Sequence, residues 1–378
     1  MNSGPPFDGI SMARVVTEHV RQIGKHFLSE RMLTELSNIR TRHAMRCSFL
    51  DAFLECLLDK HEGRYGNRTY LALPLLELLL DDQHAEVSPD RLSTLLVSDA
   101  IRFELETAGG SPEPPSRGRP DPVTLRKRLR HAVRFVVADR SGPDGVDLED
   151  GVDQLPRPPA TDAGRWFDVT VQPVYVLHDE YFFIRLLQTH EMLFTAIATD
   201  IRTAIGALRD GQLEAGVERI DHATAVFERA AILFRIIATM RADQFSTFRQ
   251  FTQGASAIQS EQYKRFEILC GLPPAPRLHS PAFTSVPAVR DEAENAAHDT
   301  ITQAYLDLRG AGAFGQAEWT LLDAALGRLE ARHQRWKSTH RSLAVRMLGD
   351  AHGSGYTDGV PYLTKCVKNR LFWQLSAQ

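Results

Sequence analysis

Apolar residues along the chain recur at spacings of three and four, the period of a helix with one buried face. Met32, Leu36 and Ile39, then Phe49, Phe53 and Leu57, place helices within residues 12–60. Gly63-Arg64-Tyr65-Gly66-Asn67 interrupts the pattern. The run YLALPLLELLL at 70–80 resumes it. Proline is tolerated only in a helix's first turn, so this helix is predicted to start near Leu73 with Pro74 just inside. Residues 107–123 and 140–164, rich in Gly and Pro and without periodicity, predict exposed loops. Between them lies a short helix over 124–138, with a strand left open as its continuation. From Asp179 the helical signal is long: Phe182, Phe183, Leu186, Leu187, His190, Leu193 and Phe194 share one broad face. A second long helix, over 213–240, repeats Val217, Ile220, Ala223, Phe227, Ala230, Phe234 and Ile237. Further helices are predicted at 260–269, 292–309, 316–330 and 333–348, with a proline-rich connector at 271–290. No βαβ rhythm is present, so the fold class is all-α, a helical bundle with loop insertions. Three stretches organise it: an N-terminal helical segment (1–82), an insertion with flexible loops (83–165) and a helical core (166–378).

Composition narrows the function classes. A formal net charge of -4 leaves no excess of basic charge to neutralise phosphates, which argues against nucleic acid as a partner. The basic run Arg126-Lys127-Arg128-Leu129-Arg130 reads as the solvated face of a helix. Cys47, Cys56, Cys270 and Cys366 form no CxxC pair and no zinc spacing. With no export signal at the N-terminus, a reduced cytoplasmic setting is expected. Apolar runs are broken by charge before the ~20 residues that a membrane span needs. A soluble protein with no membrane partner is expected.

Several residues are candidates for chemistry. His340, late in the 333–348 helix, is an imidazole on a rigid support, a suitable iron ligand whose other ring nitrogen can be tuned by an acceptor. The glycines between Gly349 and Gly359 permit a tight loop whose N–H groups can cradle an anion, and the Lys-Ser/Thr ending of a phosphate loop is absent. Arg249, in Phe245-Ser246-Thr247-Phe248-Arg249, suits a planar carboxylate beside aromatic rings, with a structural ion pair as the plainer alternative. His178-Asp179-Glu180 opens a helix, where acidic residues are favoured electrostatically; adjacent residues there do not converge on one ion. His43 and Cys47 lie one turn apart but lack the CxxCH pattern of haem attachment.

These pieces, in order, resemble the tryptophan 2,3-dioxygenase family. The first is Tyr65 to Leu73, similar to the family's YGxYLxL with two residues inserted. The second is HDEYFFIRLLQTHE at 178–191, similar to HDExLFIxxHQxxE. The third is FSTFRQFTQGASAIQSEQYKRFE at 245–267. The last runs from His340 to Arg346, followed by GSGYTDGVPYL at 353–363. The resemblance implies an all-α haem enzyme, b-type with iron, that acts with O2 on tryptophan or a related aromatic amino acid. It implies His340 as the proximal iron ligand, with Gly353 and Ser354 in the cofactor loop and Ser354 also touching substrate. Phe183 is implied as an indole-packing wall, Phe245 as a pocket aromatic, Arg249 as the carboxylate clamp and Ser256 as a residue near the distal haem face. Tyr70 and Leu71 resemble residues lent to a neighbouring subunit's pocket, which implies a homo-oligomer, dimer or tetramer.

The departures fall in the same region. The family's distal His corresponds to Leu187, and Gln188 or His190 is the candidate to supply a polar group instead. Tyr356, Asp358 and Ala257 replace residues of the family's glycine-rich and A-S-G motifs. The expectation is a divergent oxygenase, suited to secondary metabolism. A monooxygenase or a peroxygenase on the same scaffold and a non-enzymatic haem sensor remain alternatives at this point.

Overall fold

Short polar side chains set the helix starts. The Asp8 carboxylate accepts the N–H groups of Ile10 and Ser11, Ser260 Oγ accepts that of Tyr263, and Thr300 Oγ1 accepts that of Gln303. The computed structural model describes residues 8–43, 47–81, 87–108, 118–137, 155–252, 259–349 and 358–375. Its longer helices are α1 (Gly9–Ile23), α2 (Glu30–His43), α3 (Ser48–Leu57), α4 (Leu73–Leu80), α5 (Pro89–Ala108), α6 (Pro122–Val137), α7 (His178–Arg209), α8 (Leu213–Ile237), α9 (Ala242–Arg249), α10 (Glu261–Cys270), α11 (Pro287–Glu294), α12 (Ile301–Gly310), α13 (Gln316–Leu348) and α14 (Val360–Val367). Among the described residues there is no strand, and the fold is all-α; α6 stays helical to Val137, and the continuation where a strand was left open lies outside the described residues. No helix among the described residues is long and apolar enough to cross a membrane.

The chain divides into two compact units, Met1–Thr189 with Thr239–Ala255, and His190–Ala238 with Ser256–Gln378. The first unit is built on α3, α4, α5 and α6, whose Phe53, Leu54, Leu75, Leu96 and Phe135 are fully buried. The helix over 70–80 begins as the proline rule requires, at Leu73 with Pro74 in its first turn. The residue before it, Ala72, is buried with φ 47° and ψ 39°, a left-handed conformation unusual outside glycine. In the second unit α8 packs along α13, and Phe227, Leu233, Leu322 and Leu329 fill the seam. A smaller apolar cluster, Ile268, Phe283, Val286 and Val289, closes that unit around α10 and α11.

Candidate active site

In the first unit, α7 begins with three buried polar residues. Glu180 accepts the N–H groups of Val174 (2.7 Å) and Tyr175 (2.9 Å), and burial, only partly offset by these donors, pushes its carboxyl up to about 8. His178 Nε2 lies 3.2 Å from Thr107 Oγ1. Asp179 faces Arg128 of α6. Beyond these, α7 is enclosed almost all round, yet Phe183 and Leu187, one turn apart, are only half-buried. Phe245 of α9 meets Phe183 edge to face at 5.4 Å between ring centroids. Phe248 lies 5.5 Å from Phe183 and 5.4 Å from Phe245, the latter at 88°. Aromatic edges arranged this way offer a flat apolar guest both a wall and a floor. Arg249 ends the same helix, half-buried, with burial lowering its guanidinium pKa from the ordinary value. A cation with reduced hydration gains from an incoming carboxylate, which it can hold with two parallel hydrogen bonds.

Tyr70 and Leu71 are buried within this unit, at 2% and 1% exposure. The Tyr70 hydroxyl lies 3.5 Å from Glu180 Oε1, and the Leu71 carbonyl accepts from Gln188 Nε2 at 2.9 Å. Gln188 also donates to the Thr170 carbonyl and accepts from Arg185, so its amide is committed to holding backbone and leaves no donor for a guest.

In the second unit, His340 of α13 lies face to face with Phe234 of α8, centroids 5.4 Å apart at 17°. Trp336, one turn earlier, flanks it at 5.6 Å. Burial holds the imidazole down at about 4, so at neutral pH it is uncharged and keeps a lone pair. Among the described residues no hydrogen bond or ion pair engages the His340 ring, and Trp336 Nε1–H is buried with no acceptor. Among the described residues no group of three or more His, Cys, Asp or Glu converges as a bare metal ion would require. A haem iron asks for only one protein imidazole, because the porphyrin supplies the equatorial donors. A desolvated, neutral, otherwise unengaged histidine fits that demand. The ring of His190 lies 5.3 Å from Phe234 and 6.2 Å from Trp336, the same two rings that flank His340.

Ser256, Gly353 and Ser354 lie outside the described residues; Gly349 (φ 55°) and Gly359 (φ 70°), on either side of 350–357, adopt positive φ that glycine permits. Arg128 corrects the reading of its basic run. Arg126, Lys127 and Arg130 are exposed, but Arg128 is fully buried. Its guanidinium bonds Glu104 and lies 2.9 Å from Asp179 Oδ1. Its Nε donates to Thr239 Oγ1 at 3.0 Å, and it stacks over the Phe182 ring at 4.2 Å. The one sequence signal for this was Leu129 beside it, which marks where the apolar stripe of α6 passes.

A sequence profile of the tryptophan 2,3-dioxygenase family matches residues 169–286, a stretch that carries Phe183, Phe245 and Arg249. Tryptophan 2,3-dioxygenases of Burkholderia mallei (strain ATCC 23344) and Burkholderia pseudomallei (strain K96243) are each 26% identical to this chain over 233 residues, covering 52% of it and 75% of their own length. With the all-α architecture and the ordered motifs, these matches support reading the chain as a divergent relative of the tryptophan 2,3-dioxygenases.

Proposed function

We propose that the chain is a haem-dependent oxygenase that oxidises the ring of tryptophan or a tryptophan-like aromatic amino acid with O2. The observation that carries this reading is His340: a neutral imidazole walled by Phe234 and Trp336, with no hydrogen bond or ion pair among the described residues. In this reading His340 holds the haem iron, and Gly353 and Ser354 belong to the loop beside the cofactor. When bound, the haem supplies activation of O2 and the oxidative chemistry. The chain's own residues do the rest. Arg249 fixes the substrate carboxylate, Phe183 and Phe245 pack the ring, and the apolar walls exclude water. Ser256 and Ser354 complete the polar contacts to substrate; Tyr70 and Leu71, buried within the first unit, brace the start of α7 and do not reach a neighbouring subunit, so a homo-oligomer rests on the resemblance alone.

Leu187 stands where the resemblance places a distal histidine, so no side chain there accepts a proton from the ring. Ring orientation then rests on packing and on the carboxylate anchor, which favours an electron-rich ring able to react without base assistance. This same feature supports a second outcome, transfer of one oxygen atom instead of two, for which an external two-electron donor would have to reduce the other atom to water. The test is haem-loaded, reduced protein supplied with 18O2 and a panel of aromatic amino acids, with products weighed by mass spectrometry. Incorporation of one or two labelled atoms into an aromatic amino acid is expected. A protein that takes up no haem, or that holds haem and turns over none of the panel, refutes the reading.

A further inference from the structure

The stretch 83–165 reads in the sequence as an elaboration, yet it supplies a buried cation to the base of the candidate site. We infer that Arg128 is a positioning residue for the aromatic amino acid site, acting through the two helices that carry Phe183 and Arg249. The inference rests on the proposed function and deepens it by assigning substrate capture partly to residues that never touch the substrate.

A fully buried arginine is costly unless every part of it is engaged. Arg128 is engaged on all sides, and its partners are informative. Asp179 and Phe182 belong to the first turns of α7, and Phe182 immediately precedes Phe183. Thr239 begins the connector into α9, and Arg128 binds its hydroxyl through Nε and approaches its carbonyl through the other end of the guanidinium at 3.5 Å. Two residues on, the Arg241 N–H points at Asp179 Oδ2, also at 3.5 Å. Glu104 of α5 bonds the same guanidinium, so a third helix is tied to it. The guanidinium therefore fixes the start of α7 against the start of α9. Those are the two segments whose side chains, Phe183 on one and Phe245, Phe248 and Arg249 on the other, form the aromatic cluster.

A second contact points the same way. Gly118, just ahead of α6, has φ 89°, and a Cβ there would sit 2.3 Å from Gln244 Oε1. Gln244 is the residue before Phe245. The backbone at 118 thus lies against the Gln244 side chain of α9, beside its pocket aromatic. Displacing a clamp by about 1 Å is enough to lose a large part of substrate orientation, which is how a residue outside the site governs capture.

The test uses haem-loaded full-length protein and L-tryptophan, with affinity read from the substrate-induced change in the haem spectrum. Thr239→Val removes only the hydroxyl that Arg128 Nε binds and nearly keeps the volume; about tenfold weaker binding is expected, the lower end for loss of one hydrogen bond to a charged group. Thr239→Ser restores the acceptor and should restore affinity. Arg128→Lys keeps the charge and loses the fork, and a larger loss is expected, at unchanged haem content. In an Arg249→Ala background, Thr239→Val should cost nothing further, because the clamp it steadies is gone. Affinity unchanged in both Thr239→Val and Arg128→Lys, or full additivity of Thr239→Val with Arg249→Ala, overturns the inference alone. If Arg128→Lys does not fold, the Thr239 pair decides the matter unaided. Wild-type protein that holds haem but binds neither L-tryptophan nor any other aromatic amino acid overturns the functional reading, and this inference with it.

Discussion

The two units each contain an aromatic cluster, and the clusters differ in openness and in charge. In the first, Phe183, Phe245 and Phe248 meet edge to face, with Phe183 and Phe245 half-buried and a guanidinium at the end of the same helix. In the second, Phe234 and Trp336 are buried and flank a half-buried histidine whose lowered pKa comes, among the described residues, from burial alone. The same class of side chain therefore supports two tasks. Rings left half-open beside a cation would suit a flat guest with an anionic head, whereas rings packed against a half-buried imidazole keep its lone pair unprotonated at neutral pH. The distinction lies in what stands beside the rings rather than in the rings themselves.

The sharpest way to break this comparison is His340→Ala. Haem retention should fall to nothing, read as loss of the Soret band, and a full Soret band in the variant removes the second cluster's assigned task. Next is Phe234→Ala, which opens a cavity against His340 and should cost about 3–5 kcal/mol by urea unfolding. A smaller loss would mean that the second cluster is less closed than its burial indicates. Arg249→Ala probes the first cluster. L-Tryptophan binding should weaken about a hundredfold, as for loss of a charge-assisted pair of hydrogen bonds, at unchanged haem content. Equal losses of haem and substrate binding would make the arginine structural.

The smallest effect is a pH dependence set by the buried titratable groups of each unit. In the second, burial holds His333 at about 4, below its ordinary 6.5, so stability present above 6.5 is lost as pH falls toward 4. Glu267 adds to this at lower pH. Burial alone would raise its pKa, but Arg277 and Lys264 hold it at about 2, so its contribution is lost as pH falls below 4.5. In the first unit, burial raises Glu180 to about 8, so its folded state favours the proton and stability is lost as pH rises from 4.5 through 8. In the first unit burial also holds His26 at about 3, so both units lose stability as pH falls below 6.5, and Glu180 adds a loss in the first unit as pH rises. Limited proteolysis across this range, mapped by mass spectrometry, should show cleavage in both units in acid, and Glu180→Gln should remove the rise in first-unit cleavage between pH 4.5 and 8; an unchanged rise in that variant contradicts the assignment to Glu180.

Much of the architecture was legible because it depends on near neighbours. The start of α4 follows from Pro74, α7 and α8 follow from their apolar stripes, and the helix under His340 follows from the periodicity of 333–348. Phe245 and Arg249 were legible as a local motif. What could not be read was convergence over long separations. Trp336 precedes His340 by one turn, but Phe234 comes from another helix and nothing in its own surroundings marks it as the imidazole's partner. Arg128 is the clearest case. Four basic residues in five positions look alike in a sequence, and only the meeting of Glu104, Asp179 and Thr239 around one of them separates a buried cation from its solvated neighbours. Gln188 shows the converse: a plausible polar substitute by position, it is wholly occupied in holding Leu71 and Thr170.

Ala72 offers a practical handle on this molecule. Its left-handed backbone is a conformation that a methyl-bearing residue enters at a cost of roughly 1 kcal/mol and glycine enters freely. The chain therefore stores a little tension next to Tyr70 and Leu71, and Ala72→Gly should release it, raising the midpoint of thermal melting by a degree or two while every catalytic group stays in place. Such a hardened background would let damaging substitutions elsewhere be studied in protein that still folds.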